Sequence, residues 1–305
     1  MDQGWPAQEK GKTSERKSLI TTKKRNMNNE QFLVLGGNGK TGRRVVERLQ
    51  NLGKVVRIGS RSASPAFDWQ QPATWPAVLQ GITVAYITYQ PDLAVPGALE
   101  AVEHFTKVAI EAGVQKLVLL SGKGEEEAQK CEQIVIQSGA DWTVVRASWF
   151  NQNFSEGFLL PPIQEGVVAL PKADAKVPYV DANDIADVVT EVLLKEEHNG
   201  QIYELTGPRQ LTFAEAVAEI AAASKRAIHF VPITMAQYEE GLRKLDLSED
   251  YVWLVAYLFR EVLTEDNSMV TNDIEKVLGR PATDFKAYAT KVAQTDIWNL
   301  SLATS

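Results

Sequence analysis

The chain has 305 residues, a formal net charge of −7, three histidines and a single cysteine. That length suits one large α/β domain with an appended lobe, or two domains. The acidic balance argues against a dedicated nucleic-acid binder, which would carry a basic patch. One cysteine excludes an intrachain disulfide, and the histidines are too widely separated for a typical metal motif. The apolar runs are too short to span a bilayer. We therefore expect a cytoplasmic protein with no bound metal and no membrane partner.

The first segment of the chain differs in composition from the rest. Residues 1–26 are rich in lysine, arginine, serine and threonine and contain almost no apolar periodicity. Such a segment cannot bury enough apolar surface to offset the entropy lost on ordering. We interpret residues 1–30 as a disordered or cloning-derived extension. A targeting arm or a basic docking tail is the alternative.

From residue 31 onward, apolar runs alternate with helical patterns. Apolar runs and turn residues predict strands at residues 32–35, 55–59, 82–88, 116–121 and 142–146, with a short additional strand just before Asp68. Apolar residues at helical spacing predict helices at residues 41–52, 98–112 and 125–137. Strands that alternate with helices predict a parallel, doubly wound sheet with helices on both faces.

After residue 146 the apolar pattern becomes less regular. A helix is predicted at residues 181–194 with Asp181 as its N-cap, and a second one at residues 212–224 with a capping box. An apolar stripe at residues 251–262 predicts a third helix, with Trp253 in the core or in a pocket wall. The pattern indicates a smaller, mostly helical lobe over one end of the sheet.

Three glycines lie where the first predicted strand meets the first predicted helix. Gly36, Gly39 and Gly42 form the pattern G-x-x-G-x-x-G. Glycines at this junction permit a tight turn and let backbone amides approach a pyrophosphate at the start of the helix. The pattern predicts a dinucleotide site of the Rossmann type, with an ordinary glycine turn as the alternative. A phosphate-binding Walker A loop is excluded by spacing, because Val34 stands where its first glycine is needed.

The end of the second predicted strand indicates which coenzyme is preferred. NAD-binding chains carry an acidic residue there, whereas this chain has Ser60 and Arg61. A guanidinium can pair with a 2′-phosphate, and Lys40 can approach the same group. We therefore expect NADP(H) in preference to NAD(H). Asp68 is either an acceptor for the adenine amino group or a turn residue.

Several segments resemble the NmrA-like atypical short-chain dehydrogenase/reductase family, nearest its ergot-alkaloid (agroclavine and festuclavine) dehydrogenase branch. They are residues 34–42, 116–121, 138–154, 181–186 and 203–208, Gly279-Arg280-Pro281 and Phe285. The resemblance implies an NAD(P)-binding Rossmann domain at residues 31–150, interleaved with a substrate-binding lobe at residues 151–305. It also implies these cofactor-binding residues: Gly36, Asn38, Gly39, Lys40, Thr41, Gly42, Arg61, Thr88, Tyr89 and Ser121.

The chain lacks the usual catalytic pair of short-chain dehydrogenases. In that pair, Tyr-x-x-x-Lys, the tyrosine is the acid and the lysine lowers its pKa. No tyrosine here has a lysine four residues later. Lys130 and Ser121 remain as catalytic candidates. The acidic run at residues 125–127 is interpreted as a favourable helix start, and Cys131 as an inert apolar residue.

Substrate residues are predicted from the carboxyl ends of the strands, where ligands bind in open α/β sheets. Pro91, Trp149, Phe150 and Asn153 lie there, although packing between domain and lobe explains the two aromatics equally well. Without the tyrosine acid, hydride transfer to a small, apolar or aromatic quinone, iminium or conjugated acceptor is favoured. The alternative is a catalytically silent NADP(H) sensor that regulates a protein partner. An epimerase-like activity is disfavoured by the lack of the pair.

Overall fold

A computed structural model describes residues 30–245 and 247–299, so the predicted extension, apart from Glu30, lies outside the described residues. One parallel sheet has the strand order β2-β1-β3-β4-β5-β7. Its strands are β1 (Gln31–Leu35), β2 (Val55–Gly59), β3 (Val84–Ile87), β4 (Lys116–Gly122), β5 (Asp141–Ala147) and β7 (Gln201–Leu205). The first five confirm the predicted strands to within two residues. The sixth, β7, was not predicted.

Helices cover both faces of this sheet, as the apolar strands predict. They are α1 (Gly42–Asn51), α2 (Trp75–Leu79), α3 (Ala98–Glu111), α4 (Glu126–Ile136), α7 (Ala182–Leu194) and α11 (Asp273–Leu278). Alternate residues of a strand point to opposite faces. Phe32 and Val34 therefore pack with α1, α7 and α11, whereas Leu33 and Leu35 pack with α2, α3 and α4. Burial on both faces explains the unbroken apolar runs.

The remaining elements form the smaller lobe. They are α5 (Asn153–Glu156), α6 (Leu160–Glu165), β6 (Val167–Leu170), α8 (Phe213–Ser224), β8 (His229–Pro232), α9 (Met235–Arg243), α10 (Glu249–Tyr257) and α12 (Phe285–Ala293). The lobe is mostly helical, as predicted, and β6 pairs in parallel with β8 in a separate two-stranded sheet. Within the described ranges, no helix combines the length and apolarity needed to cross a bilayer.

Two predicted helix caps are confirmed. The Asp181 carboxylate accepts the amide N–H of Asn183 at the start of α7, at 2.7 Å. At the start of α8, the Thr212 hydroxyl accepts from the Glu215 amide while the Glu215 carboxylate accepts from the Thr212 amide. These caps satisfy amide groups that the first turn of a helix leaves without partners.

The short strand predicted before Asp68 is wrong. The carbonyl oxygen of Ser60 accepts the amides of Ala63 and Phe67 at 3.2 and 2.9 Å, so the segment folds back on itself instead of pairing with β2. The Phe67 side chain is nevertheless buried, against Trp75. An apolar residue that packs from a loop produced the strand-like pattern.

The helix predicted at residues 251–262 is interrupted, and the location predicted for Trp253 is wrong. Helix α10 ends at Tyr257, and a π-helical turn continues over Leu258–Val262. Trp253 is 44% exposed and stacks on Tyr257 with ring centroids 5.3 Å apart, so it belongs neither to the core nor to a pocket wall. The boundary proposed near residue 150 stays a prediction. Helix α7 and strand β7, both beyond it, belong to the main sheet layer.

Candidate functional site

A cleft opens where the chain leaves β1 and β3. These neighbouring strands lead to helices on opposite faces of the sheet, and such a divergence forms a crevice at the carboxyl ends of the strands. Two adjoining cavities occupy it. The inner cavity, of about 370 Å³, extends from the glycine turn to Trp149. The outer cavity extends from the same turn to Arg61 and Asp68. Both are lined by Gly36, Gly39, Thr88, Gln90 and Pro91.

The glycine turn presents unpaired backbone amides to this cleft. The Gly39 amide donates to the Gly36 carbonyl at 2.7 Å and closes the turn. A Cβ at Gly42 would lie 2.1 Å from that same carbonyl oxygen, so only glycine lets the turn pack against the first residue of α1. Within the described chain, the amides of Asn38, Lys40 and Thr41 have no backbone acceptor. Free amides at the start of a helix are a general anion-binding arrangement.

Two threonines near the turn are held by hydrogen bonds from the sheet. The Tyr86 phenol donates to Thr41 Oγ1 at 3.1 Å, and burial raises the pKa of Tyr86 well above its usual value, so it stays protonated. The Thr88 hydroxyl donates to the Leu35 carbonyl at 3.0 Å. Both threonines line the inner cavity. The sheet therefore fixes the position of this side of the cleft.

The outer cavity brings together the residues predicted to select the coenzyme. The side-chain amide of Asn38 (Nδ2) donates to the hydroxyls of Ser60 and Ser62 at 3.1 and 3.2 Å. Arg61 is exposed beside them, and no carboxylate in the described part of the chain pairs with it. By contrast, Arg57 donates to the carbonyls of residues 78 and 80, both at 2.7 Å, so its guanidinium stabilises the fold. Arg61 is thus available to an anion.

Asp68 lies in the same cavity but partly serves a turn. Its Oδ1 accepts the Gln70 amide at 3.0 Å, and its Oδ2 accepts from the Gln71 side chain at 3.3 Å. A carboxylate has further lone pairs, so these contacts leave acceptor capacity. The role of Asp68 toward an adenine amino group stays a prediction.

Lys40 connects the glycine turn with the lobe. Its amino group donates to Asn153 Oδ1 at 3.3 Å. Burial lowers the pKa of Lys40, and the nearby Glu156 carboxylate opposes this shift. Glu156 is itself bound by Arg43 and Arg44. An anion in the inner cavity would stabilise the charged form of this partly desolvated lysine.

The far wall of the inner cavity is aromatic and apolar. Trp149 lines it and packs edge-on against Phe213 and Phe259, with centroids 5.7 and 5.3 Å apart. Trp149 therefore combines a cavity surface with lobe packing. Phe150 also lines the cavity and bridges to Val180. Five lobe residues that the sequence analysis did not assign to the pocket complete this wall, namely Phe158, Tyr251, Leu254, Val255 and Leu258.

The catalytic candidates from the sequence fall in different places. Ser121 lines the inner cavity and donates to Glu132 at 2.7 Å, and the fully buried Glu132 binds Arg146 at 2.7 Å. Lys130 is not brought to the cavity, because it pairs with Glu127 on the exposed surface of α4. Cys131 is buried, and burial raises the pKa of its thiol to about 12, as an inert residue requires.

The inner cavity also contains polar residues that were not predicted, namely Gln90, Asp92, Lys123 and Glu125. Gln90 and Asp92 follow the carboxyl end of β3, and this position was the only sequence feature from which they could have been predicted. Lys123 is buried beside Glu204, with 3.7 Å between the charged atoms. Glu125 was hidden in an acidic run with an ordinary explanation as a helix start.

Three curated proteins are similar to the chain over most of its length. Prestalk A differentiation protein A of Dictyostelium discoideum is 27% identical over 85% of this chain and 91% of its own length. NAD(P)H azoreductase of Xenophilus azovorans is 28% identical, with coverages of 85% and 96%. Agroclavine dehydrogenase of Claviceps fusiformis is 26% identical, with coverages of 83% and 94%. No family model matches the chain.

Solved structures share the fold at lower sequence identity. The NADPH-dependent quinone oxidoreductase of Escherichia coli, complexed with NADPH, aligns with a TM-score of 0.73 at 19% identity, over 86% of this chain and 99% of that one. NmrA, a negative transcriptional regulator in complex with NAD, aligns with a TM-score of 0.66 at 15% identity, over 88% and 97%. Together with the glycine turn and the sheet order, these similarities support the resemblance to the NmrA-like atypical short-chain dehydrogenase/reductases that the sequence indicates.

Proposed function

We propose that this protein is an NADPH-dependent reductase that transfers hydride to a small, unsaturated, largely apolar acceptor. The observation that carries the proposal is a single cleft. At one end it has backbone amides and an arginine, Arg61, for which residues 30–245 and 247–299 provide no acceptor, and at the other end an aromatic cavity. The polar lining at one end and the apolar lining at the other suit a dinucleotide followed by an apolar molecule. Relatives that are named reductases and dehydrogenases support NAD(P)H-dependent redox chemistry.

The residues present fit this coenzyme. Pyrophosphate oxygens would accept from the amides of Asn38, Lys40 and Thr41, and a 2′-phosphate would pair with Arg61. The lack of an acidic residue at the end of β2 removes the usual partner of an unphosphorylated ribose. A bound reduced nicotinamide supplies a hydride equivalent, and the protein contributes position and electrostatics. We assign pyrophosphate binding to the glycine turn and 2′-phosphate binding to the outer cavity.

The acceptor is proposed from the inner cavity. Its aromatic lobe wall favours a flat, apolar molecule, which Trp149 and Tyr251 would contact. The chain has no Tyr-x-x-x-Lys pair to protonate an alkoxide. Quinones, azo compounds, iminium ions and conjugated carbonyls accept hydride more readily than simple ketones. Holding the two reactants together supplies a large part of the acceleration.

NADPH oxidation in the presence of an acceptor panel tests the proposal. The panel contains a benzoquinone, an azo dye, a cyclic iminium salt and, as a control, an unactivated ketone. We expect the loss of NADPH absorbance with at least one activated acceptor and none with the ketone. Tight NADPH binding without turnover of any activated acceptor would contradict the reductase proposal.

The second candidate is a non-catalytic NADP(H) sensor. Two observations favour it, namely the lack of the catalytic pair and a fold shared with a transcriptional regulator. A sensor distinguishes oxidised from reduced coenzyme by affinity and carries the difference to a protein partner. Calorimetric titration with NADP⁺ and NADPH separates the two functions. A sensor requires a large affinity ratio without turnover, whereas a reductase requires turnover.

A further inference from the structure

Two carboxyl groups meet at the wall of the inner cavity. Asp92 lies in the loop after β3, where its Oδ1 accepts the Ala94 amide at 2.8 Å. Glu125 is the N-cap residue of α4, but its side chain does not cap that helix. Its carboxyl group lies instead beside that of Asp92. Both residues line the cavity that also contains the glycine turn and the aromatic wall.

The surroundings of Glu125 exclude a cation as its partner. Glu125 is only 6% exposed, and its Oε2 receives no hydrogen bond from another donor in the described chain. Its carboxyl group lies so close to the backbone that a Cβ at Gly122 would be 1.9 Å from Oε1. Lys123 lines the same cavity but is held by Glu204 and by the Asn267 carbonyl. Glu125 is buried, Asp92 is partly buried, and no cation in the described chain pairs with either, so their mutual repulsion disfavours the state in which both are ionised.

The other titratable groups around the pair strengthen this conclusion. Burial, followed by the Asp92 charge and then by Glu132, raises the pKa of Glu125 well above its usual value. From α10, Tyr257 faces Glu125, and burial raises the pKa of its phenol to about 12. From α4, Cys131 is a neutral thiol near Asp92. The Asp92 carboxylate already accepts the Ala94 amide, whereas Glu125 Oε2 has no donor in the described chain, so we place the proton on Glu125.

We propose that Asp92 and Glu125 share one proton at the wall of the inner cavity, and that Glu125 delivers this proton to the acceptor as it is reduced. This inference rests on the proposed reductase function. Glu125 would be the catalytic acid that the missing tyrosine leaves unassigned, and Asp92 would be a positioning residue.

The proton balance follows directly. A neutral acceptor that gains a hydride, which is two electrons and one proton, becomes a monoanion and needs one further proton to form a neutral product. The O–H bond of Glu125 breaks and a new bond forms between that proton and the anionic oxygen, nitrogen or carbon. Both carboxyls are then ionised, and their mutual repulsion draws a proton from water, which restores the pair. An iminium acceptor becomes a neutral amine and needs no proton from the pair.

Glu125→Gln removes the transferable proton and changes little else. The glutamine amide can still donate to the Asp92 carboxylate, and the pair keeps a net charge of minus one. Glu126→Gln is the matched control, because Glu126 is the next residue and is exposed on α4. Equal unfolding free energies and equal NADPH affinities for the variants and the wild type would establish that the fold and the coenzyme site are intact.

The first measurement needs neither coenzyme nor turnover. A protonated carboxyl group gives an infrared carbonyl band that an ionised one lacks. We expect such a band at neutral pH in the coenzyme-free wild type and in Glu126→Gln, and its loss in Glu125→Gln. Asp92→Asn removes the neighbouring charge and should shift the disappearance of the band to lower pH. A wild-type protein without the band, or a band unchanged by Glu125→Gln, would overturn the shared proton.

The second measurement compares two acceptors. Loss of a general acid costs on the order of a hundredfold in rate, so Glu125→Gln should lower kcat by about that factor with a neutral quinone. With the cyclic iminium salt the change should stay within about threefold, because no proton is required. The quinone rate of the wild type should fall as rising pH ionises the pair. Equal losses with both acceptors, or no loss with either, would overturn proton delivery by Glu125.

The two proposals fail differently. An active wild type with an unaffected Glu125→Gln variant contradicts only the assignment of the acid. If the wild type fails to oxidise NADPH with every acceptor of the panel, both the reductase function and proton delivery are contradicted. The infrared band in the coenzyme-free protein still decides whether the pair holds a proton.

Discussion

At the scale of single residues, Arg61 carries the expected preference for NADPH. It is exposed beside Ser60 and Ser62 and has no carboxylate partner in the described ranges. Arg61→Ala should weaken NADPH binding by roughly 1.5–3 kcal/mol, as for a hydrogen bond between charged groups. NADH affinity should be nearly unchanged, which provides an internal control. Calorimetric titration with both coenzymes measures the effect, and an equal loss for both would refute the assignment.

The buried ion pair of Glu132 and Arg146 supports a second prediction, this time about stability. Glu132 is fully buried and accepts hydrogen bonds from Ser121 and Arg146. Arg146→Met would leave the Glu132 carboxylate without its cationic partner, at a cost of about 3 kcal/mol in the free energy of unfolding. Adding Glu132→Gln removes that charge and should recover part of the loss. Urea unfolding of both variants checks this, and a double variant less stable than the single one would contradict it.

At the scale of elements, the turn between β1 and α1 supports a third prediction. Gly42→Ala places a methyl 2.1 Å from the Gly36 carbonyl oxygen and must displace the turn. We expect NADPH and NADH affinities to fall together, unlike the selective effect at Arg61. Gly241→Ala adds the same methyl inside α9, where no atom of the described chain beyond the adjacent residues and the helix backbone lies within 4 Å of it, and should leave both affinities unchanged. Fluorescence titration measures them, and retained binding in Gly42→Ala would contradict the role of the turn.

The same scale shows what the sequence could predict. The strands β1 to β5 were recognisable because burial on both faces demands continuous apolar runs. Helices α7 and α8 were recognisable because the residues just before them, Asp181 and Thr212, cap them. Strand β7 was missed because it lies at the sheet edge, where Ile202 is 38% exposed and Glu204 is polar. The false strand before Asp68 arose because a buried Phe67 packs equally well from a loop.

The candidate site was predictable to the extent that it consists of local sequence. The glycine turn and Arg61 follow directly from positions next to strands. The carboxyl pair was not recognisable, because Asp92 and Glu125 are 33 residues apart in the sequence. Their meeting depends on β3 and β4 being neighbours in the sheet. The lobe wall of the inner cavity was missed for the same reason, since Tyr251 and Leu254 reach it from a distant helix.

At the scale of the whole molecule, the coenzyme should stabilise the sheet and the lobe together. Lys40 on the glycine turn bonds to Asn153 of the lobe, and α10 packs over the loop after β3. NADPH at about 100 times its Kd should raise the free energy of unfolding by about 2.7 kcal/mol. Fluorescence and circular dichroism should report one shared transition. A gain restricted to one probe would show that the two parts unfold separately, and Gly42→Ala should show no gain.

The route of the chain limits how this lobe can be exchanged. After β5 the chain builds β6 in the lobe, returns to the sheet layer for α7 and β7, and leaves again for α8 and β8. The chain then returns once more to the sheet layer for α11 before α12 ends in the lobe. A single crossover in a hybrid gene would therefore pair half of one lobe with half of another and would split the β6–β8 ladder between two parents. Transplanting the whole lobe from a relative therefore requires three separate inserts, with α7, β7 and α11 left in place.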